Sequence, residues 1–296
     1  MVRALIINFS ILIPTAVFQG YGQEQADSAR TYRIETSDGN IFTGNIISED
    51  SVIVLLKTEE YGRITLFQKR IISMNELKNI TQVEGRIWLP NPQSARYFWA
   101  PNGYGLEKGS AYYQNIWVFY NQVSVSGSDN FSMGAGLLPL FLFGGAPTPV
   151  FIVPKFSIPV VQDKLNIGTG AFLGAVLGED AFGFGLLYET TTIGSRDRNT
   201  SLGLAWGFAS GEFMKRPILN LSTMIRTGPK GYFISENYYI PVEDGSFVVL
   251  SAGGRSIIRN ISLDYSLWIP LSGQIEEFVA IPFLGVAIPI GSKRSK

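Results

Sequence analysis

Large apolar side chains alternate with small or polar ones along most of the chain after residue 110. A β-strand has a side-chain period of two, so this alternation predicts strands with one bulky face. Leu202, Leu204 and Trp206, for example, oppose Ser201 and Gly203. We expect about eleven long strands, near residues 112–126, 130–143, 148–160, 164–177, 181–193, 199–209, 216–227, 230–241, 246–255, 260–271 and 277–290.

A polar turn followed by such a strand recurs along this region at intervals of 29 to 36 residues. The turns begin at Asp129, Asp163, Arg198, Pro229 and Arg259. This interval fits two strands of the length that crosses a bilayer at a tilt, together with two turns. The sequence therefore predicts one hairpin repeated along the chain.

Charged residues are rare on the bulky faces, as expected for a surface that meets lipid, where Lys or Arg at mid-depth costs about 2–4 kcal/mol. In the strand near 181–193 we assign Phe184, Leu186 and Tyr188 to the bulky face and Glu189 to the other face. The faces rich in Gly and Ser are expected to line a narrow lumen. The expected lumen charge network consists of Lys155, Glu189, Arg226, Arg255 and Asp264.

The alternative is a soluble secreted β-sandwich, in which the bulky faces would pack inward against a second sheet. Periodicity alone does not separate the two folds. The second faces favour the barrel, because a solvent-facing sheet surface carries many more Lys and Glu than these strands do.

The residue inventory limits the chemistry. The 296 residues are 46% hydrophobic and 16% charged, with 32 glycines, no cysteine and no histidine. Disulfides, thiolate sites and imidazole catalysis are therefore excluded. We predict no enzyme activity, no catalytic residues, no cofactor and no metal site. A formal net charge of zero gives no indication of a nucleic-acid partner.

The chain divides into five segments. Residues 1–22 have the features of a secretory signal peptide, with Arg3 before an apolar run of about 15 residues; an N-terminal anchor is the alternative. Residues 23–83 form a small domain, 84–93 a linker, 94–290 the barrel and 291–296 a basic tail.

The small domain has short apolar runs separated by turn signals, including Asp38-Gly39 and Glu49-Asp50, and predicts five strands. This pattern resembles Sm-like and SH3-like small β-barrels. An exported copy meets no RNA, so the resemblance implies a domain that binds a periplasmic protein partner through residues 31–83, with no nucleic acid bound.

The region from about residue 94 to 290 resembles the outer-membrane β-barrel proteins of Gram-negative envelopes. The resemblance is carried by the opening Tyr112-Tyr113-Gln114-Asn115 and by hairpins of the type Asn130-Phe131-Ser132-Met133-Gly134. Such barrels have an even number of strands and periplasmic termini. We therefore add residues 94–102 as a strand, which gives about twelve and places the Ser128-Asp129-Asn130 turn in the periplasm; ten strands are the alternative, with the first two segments acting as a plug.

Two features depart from the resemblance. The last strand ends in Ile288-Pro289-Ile290 rather than in an aromatic residue, and Pro154 and Pro282 lie within strands. The functional expectation is an anchoring barrel in the outer membrane, in contact with its lipid, with a filled lumen and a periplasmic interaction domain. A narrow passive channel for small solutes is the alternative.

Overall fold

The computed structural model describes residues 30–77, 81–83, 86–88, 91–139, 148–177, 182–243, 245–258, 260–272 and 277–290. Twenty strands within these ranges form three antiparallel sheets. Within the same ranges, every helix is too short or too polar to cross a membrane. The predicted signal peptide, residues 1–22, and the basic tail, residues 291–296, lie outside the described residues.

The N-terminal domain is a five-stranded sheet in the order β4-β3-β2-β1-β5. Its apolar positions alternate, so that one face buries Ile34, Val54, Leu56 and Leu66 together. Its strands are β1 (Thr31–Thr36), β2 (Ile41–Glu49), β3 (Ile53–Thr58), β4 (Gly62–Phe67) and β5 (Ile71–Glu76).

Polar turns fix the register of this sheet. The Thr36 hydroxyl donates a hydrogen bond of 2.5 Å to the Asp38 carboxylate, and Gly39 adopts a φ of +80°. The bond from Thr36 lowers the pKa of Asp38. In the next turn, backbone N–H groups of Ile53 and then Val52 lower the pKa of a second carboxyl, that of Asp50.

A two-stranded sheet follows, formed by β6 (Thr81–Val83) and β7 (Arg86–Trp88). Part of the stretch that the sequence predicts as a linker is therefore a strand.

The remaining strands form a closed barrel. Neighbouring strands along the chain pair with each other, β20 pairs with β8, and β13 pairs with β14, so twelve strands complete the ring. The two-residue β15 (Glu212–Phe213) extends β14 outside the ring. The twelve are β8 (Ala111–Ile116), β9 (Tyr120–Ser128), β10 (Phe131–Leu137), β11 (Thr148–Val161), β12 (Leu165–Leu177), β13 (Phe182–Gly194), β14 (Arg198–Ala209), β16 (Ile218–Gly228), β17 (Gly231–Val242), β18 (Gly245–Ile258), β19 (Ile261–Leu271) and β20 (Ile281–Ile290).

The two ends of the barrel differ. The connections after β9, β11, β13, β16 and β18 span two or three residues, and we call this end the short-turn end. The chain enters β8 and leaves β20 at this end. The opposite end, which we call the long-loop end, carries the connections 138–147, 210–217 and 272–280. This asymmetry is typical of outer-membrane barrels.

Side-chain exposure follows the predicted alternation in most strands. Leu202 and Leu221 are 60% and 53% exposed on the outer face, whereas Ser201 and Ser222 are fully buried facing the lumen. An apolar outer face on a ring with no open edge is the arrangement that a bilayer requires. The all-β fold with a twelve-stranded antiparallel barrel is confirmed, and it is the fold of an outer-membrane β-barrel.

The identity of the twelfth strand is corrected. Residues 94–102 lie inside the lumen and supply no barrel strand. The predicted strand 112–126 is instead two strands, β8 and β9, joined by a turn in which Trp117 and Val118 have φ values of 50° and 68°. Asn115 accepts a hydrogen bond from the Val118 N–H, and Asn121 donates to the Val118 and Phe119 carbonyls. These side chains stabilise a turn that lacks glycine.

The outer face gives a testable prediction. Leu204 lies near the middle of β14, so Leu204→Arg should lower the free energy of unfolding in lipid vesicles by about 2–4 kcal/mol, measured by urea titration. Ile193 is 66% exposed next to the short turn after β13, and Ile193→Arg should cost about 0–1 kcal/mol. Equal costs at the two depths would contradict the lipid-facing assignment.

Candidate functional site

A loop of the chain occupies the lumen. Residues 93–104, which we call the inserted loop, enter from the short-turn end and double back at Phe98 and Trp99. The Tyr97 N–H donates to the Ala100 carbonyl at 2.9 Å, and Arg96 bridges to Pro101. Tyr97, Phe98 and Asn102 are fully buried, although this segment is not one of the strands of the barrel sheet.

Glu236 on β17 binds the tip of the inserted loop. Its carboxylate accepts the backbone N–H groups of Phe98 at 2.7 Å, Trp99 at 3.0 Å and Ala100 at 3.1 Å. The Tyr238 hydroxyl donates a fourth bond at 2.5 Å. The fully buried carboxylate therefore satisfies three consecutive backbone donors that have no strand partner.

The wall next to Glu236 departs from regular strand pairing. Instead of a continuous backbone ladder between β17 and β18, the Ser251 hydroxyl donates to the Glu236 carbonyl at 2.6 Å and accepts the Glu236 N–H at 3.0 Å. The Ser251 N–H is taken by the Asn237 side chain at 3.0 Å. Side chains thus replace main-chain partners where the wall contacts the tip of the loop.

Arg255 on β18 and Asp264 on β19 form a second contact with the loop. They lie opposite each other in the sheet, and the Arg255 guanidinium donates to the Asp264 carboxylate at 2.6 Å and 3.1 Å. Nη2, which also donates to Asp264, binds the Tyr97 carbonyl at 2.6 Å, and Nη1 binds the carbonyls of Gln93 at 2.6 Å and Arg96 at 3.3 Å. Arg96 of the loop completes the cluster with an ion pair of 2.9 Å to Asp264.

Lys155 on β11 binds the two ends of the inserted loop. Its ammonium group donates to the Ala95 carbonyl at 2.8 Å and to the Tyr104 carbonyl at 2.7 Å. On β14, Asn199 accepts a hydrogen bond of 2.7 Å from the Tyr97 hydroxyl. The loop is therefore bonded to walls on several sides of the lumen.

Close packing accompanies these bonds. A Cβ on Gly168 of β12 would lie 2.8 Å from the Asn102 carbonyl oxygen and 3.2 Å from the Gly103 Cα. The Gly103 N–H donates to the Thr192 hydroxyl at 2.7 Å. The lack of a side chain at both glycines allows loop backbone and wall backbone to meet directly.

A third group of charges lies at the short-turn end. Arg226 pairs with Asp197 at 2.9 Å, and the Tyr232 hydroxyl donates to the same carboxylate at 2.6 Å. The Arg226 guanidinium also lies 4.8 Å from the Trp88 ring centroid, which joins β7 to the barrel. Arg196 donates to the Ser94 hydroxyl and the Gly105 carbonyl, at 2.9 Å and 3.0 Å.

The structure places the five charges of the expected lumen network in different surroundings. Arg255 and Asp264 are in contact, Lys155 binds only the inserted loop, and Arg226 belongs to the short-turn end. Glu189 is exposed, and it alternates with the inward-facing Tyr188 and Thr190, so its side chain lies on the outer face. The face assignment for β13 was therefore wrong.

The physical reason is the shape of the lumen. On the long-loop side of Trp99 the inserted loop is absent, and large side chains from the wall occupy part of that space. Phe184 packs on Phe172, with ring centroids 6.1 Å apart, and Phe172 stacks on Phe151 at 4.8 Å. Side chains alternate along a strand, so when the large residues of β13 face inward, its small residues lie on the outer face.

A cavity of about 420 Å³ lies between the inserted loop and the barrel walls, and Trp99, Ala95 and Lys155 are among its lining residues. Trp99 is 41% exposed and packs on Tyr120 with ring centroids 5.0 Å apart. Tyr188, Tyr238 and Trp268 also line this cavity. No group of three or more metal-ligating side chains occurs among the described residues.

Comparisons with known proteins give limited information. No protein-family model and no curated protein matches the chain. A solved structure of the outer-membrane expressed OmpT of Vibrio cholerae aligns with 88% of this chain and 95% of its own, at 10% identity and a TM-score of 0.35. We draw no conclusion about this chain from a likeness of this degree.

The prediction that the chain is not an enzyme is corrected and withdrawn. The structure found by the comparison, OmpT, gives that prediction no support, and the absence of histidine excludes only mechanisms that need an imidazole. The lumen contains two buried carboxylates, Glu236 and Asp264, so residue types alone do not exclude acid–base chemistry.

The Glu236 contact gives a second prediction. Because the chain has no cysteine, Ala100→Cys provides a single reporter at a position that is 6% exposed. Adding Glu236→Ala leaves three buried N–H groups without an acceptor, at about 1–3 kcal/mol each. Labelling of Cys by a membrane-impermeant maleimide should then accelerate at least tenfold.

The matched control is Glu212→Ala, which removes an exposed carboxylate from β15 and should leave the labelling rate unchanged. Rapid labelling of the Ala100→Cys protein with Glu236 intact would show that the loop does not occupy the lumen.

Proposed function

We propose that this protein is an outer-membrane anchor whose lumen is closed by its own inserted loop, and that it holds a small Sm-like domain in the periplasm for a protein partner. The observation that carries the proposal is the set of bonds from Glu236, Arg255 and Lys155 to backbone groups of the loop. These wall charges bind the chain itself, which supports a lumen closed by its own loop.

The position of the N-terminal sheet supports the proposal. The inserted loop follows that sheet in the chain and enters the barrel at the short-turn end, and single-chain barrels keep this end in the periplasm. The strand order, with β1 between β2 and β5, is compatible with the Sm-like interpretation.

Among the described residues of the N-terminal domain, five large apolar side chains are exposed, and exposed apolar side chains mark interaction surfaces where they lie together. They are Ile47, Val52, Tyr61, Phe67 and Ile72. We propose that the partner binds within residues 31–83.

The proposed orientation is tested by cysteine accessibility in intact cells. Lys57→Cys places a thiol on the exposed side of β3, and Glu212→Cys places one at the long-loop end. An impermeant maleimide should label Glu212→Cys at once and Lys57→Cys only after the outer membrane is permeabilised. Labelling of Lys57→Cys in intact cells would reverse the orientation.

The closed lumen is tested by conductance. The purified protein in planar bilayers should give no sustained single-channel current, because the inserted loop fills the short-turn half of the lumen. Glu236→Ala should produce intermittent currents by weakening the bonds to the loop tip, and Glu212→Ala should not. Sustained currents from the unmodified protein would support the passive channel instead.

A further inference from the structure

The cavity between the inserted loop and the barrel walls has the size and lining of a small-molecule site. Its volume of about 420 Å³ lies within the range of about 300–1,000 Å³ that ligand pockets occupy. Its walls are mainly apolar and aromatic, and they include Phe172, Leu186, Tyr238, Val249 and Trp268. Flat apolar molecules pack well against such rings.

Buried donors without a partner belong to residues that line the same cavity. The Arg96 Nη2, the Tyr188 hydroxyl and the Thr190 hydroxyl make no hydrogen bond within the described part of the chain. Arg96 is 6% exposed and Thr190 is 4% exposed. Such groups are costly to bury unpaired, so their concentration around one cavity indicates a bound acceptor.

The arrangement of the wall directs the Tyr188 hydroxyl toward Lys155. Tyr188 pairs with Gly170 in the sheet, and Gly170 pairs in turn with Lys155. A Cβ on Gly170 would lie 2.5 Å from the Tyr188 hydroxyl oxygen, so the tyrosine extends across the glycine. A hydroxyl donor and an ammonium group thus share one row of the wall.

The charges of the lumen favour an anion. Among the described residues, the cations Arg96, Lys155, Arg226 and Arg255 accompany the anions Asp197, Glu236 and Asp264. Asp197 and Asp264 each form ion pairs with arginine, whereas the hydrogen bonds of Lys155 go to neutral carbonyls. An added negative charge near the floor of the cavity would therefore meet an excess of positive charge.

We propose that this cavity binds an amphipathic organic anion. Its carboxylate lies toward the Tyr188 and Thr190 hydroxyls and the Lys155 ammonium group, and its flat apolar body lies between Trp99 and the aromatic walls. The inserted loop supplies Trp99 to the site. Binding at this site is independent of the proposed anchoring role, because it requires no partner for the N-terminal domain.

The test uses 2-naphthoate and the full-length protein in phospholipid nanodiscs. Equilibrium dialysis, with empty nanodiscs as the blank, should show saturable binding of one molecule per chain. The neutral 2-naphthalenemethanol and the cationic 2-naphthalenemethylamine have the same ring system, and each should bind at least tenfold more weakly.

Variants locate the site. Tyr188→Phe and Thr190→Val each remove a hydroxyl that has no protein partner, so the barrel should fold normally while naphthoate affinity falls about tenfold. The matched controls are Tyr239→Phe and Thr191→Val, which make the same changes on the outer face and should alter affinity less than twofold.

Three results would overturn the proposal. They are the absence of saturable naphthoate binding, equal affinity for the three naphthalene probes, and unchanged naphthoate affinity in both Tyr188→Phe and Thr190→Val. The first would show that the cavity takes no such ligand, the second that charge has no role, and the third that the probe binds elsewhere on the barrel.

Discussion

The lumen of this barrel must provide hydrogen-bond partners for the backbone N–H and C=O groups of a segment that is not a strand. Inside a narrow barrel, water is scarce, and each unpaired N–H or C=O group is costly. The inserted loop meets this constraint through the wall: Glu236 accepts three N–H groups, Arg255 donates to three carbonyls of the loop, and Lys155 donates to two. The main polar groups of the lumen are thus partners of the loop backbone.

The charges of the wall have a positional role. A buried ion pair often adds little net stability, because desolvation of two charges offsets their attraction. Removing one member is nevertheless costly, since the other is left uncompensated. Asp264 lies between Arg255 of the wall and Arg96 of the loop, so a displaced loop would leave this cluster incomplete. The cluster therefore specifies one position for the loop.

Much of the barrel was predictable because alternation is a local property. Leu202 and Ser201 reveal their faces through their immediate neighbours, and the turns at Asp129 and Asp163 mark the hairpins. β13 was misassigned because the assumption that small residues face the lumen holds only where the loop fills it. On the long-loop side of Trp99 the loop is absent, and large residues face inward.

The inserted loop was not predictable in the same way. Its aromatic sequence has the composition of a strand, and its partners are distant in the chain: Glu236 is 138 residues from Phe98, and Arg255 is 158 residues from Tyr97. The periodicity of the sequence does not indicate contacts between residues so far apart in the chain. The turn between β8 and β9 was missed for a local reason, since Trp117 and Val118 adopt left-handed φ values without glycine.

The most direct test of the account is native hydrogen exchange of the unmodified protein in lipid, followed by mass spectrometry. Amides of residues 97–103 should exchange as slowly as those of the barrel strands, because the Phe98, Trp99 and Ala100 N–H groups are bound to a buried carboxylate. Exchange as fast as that of the exposed turn at Ser210 and Gly211 would contradict a lumen closed by its own chain.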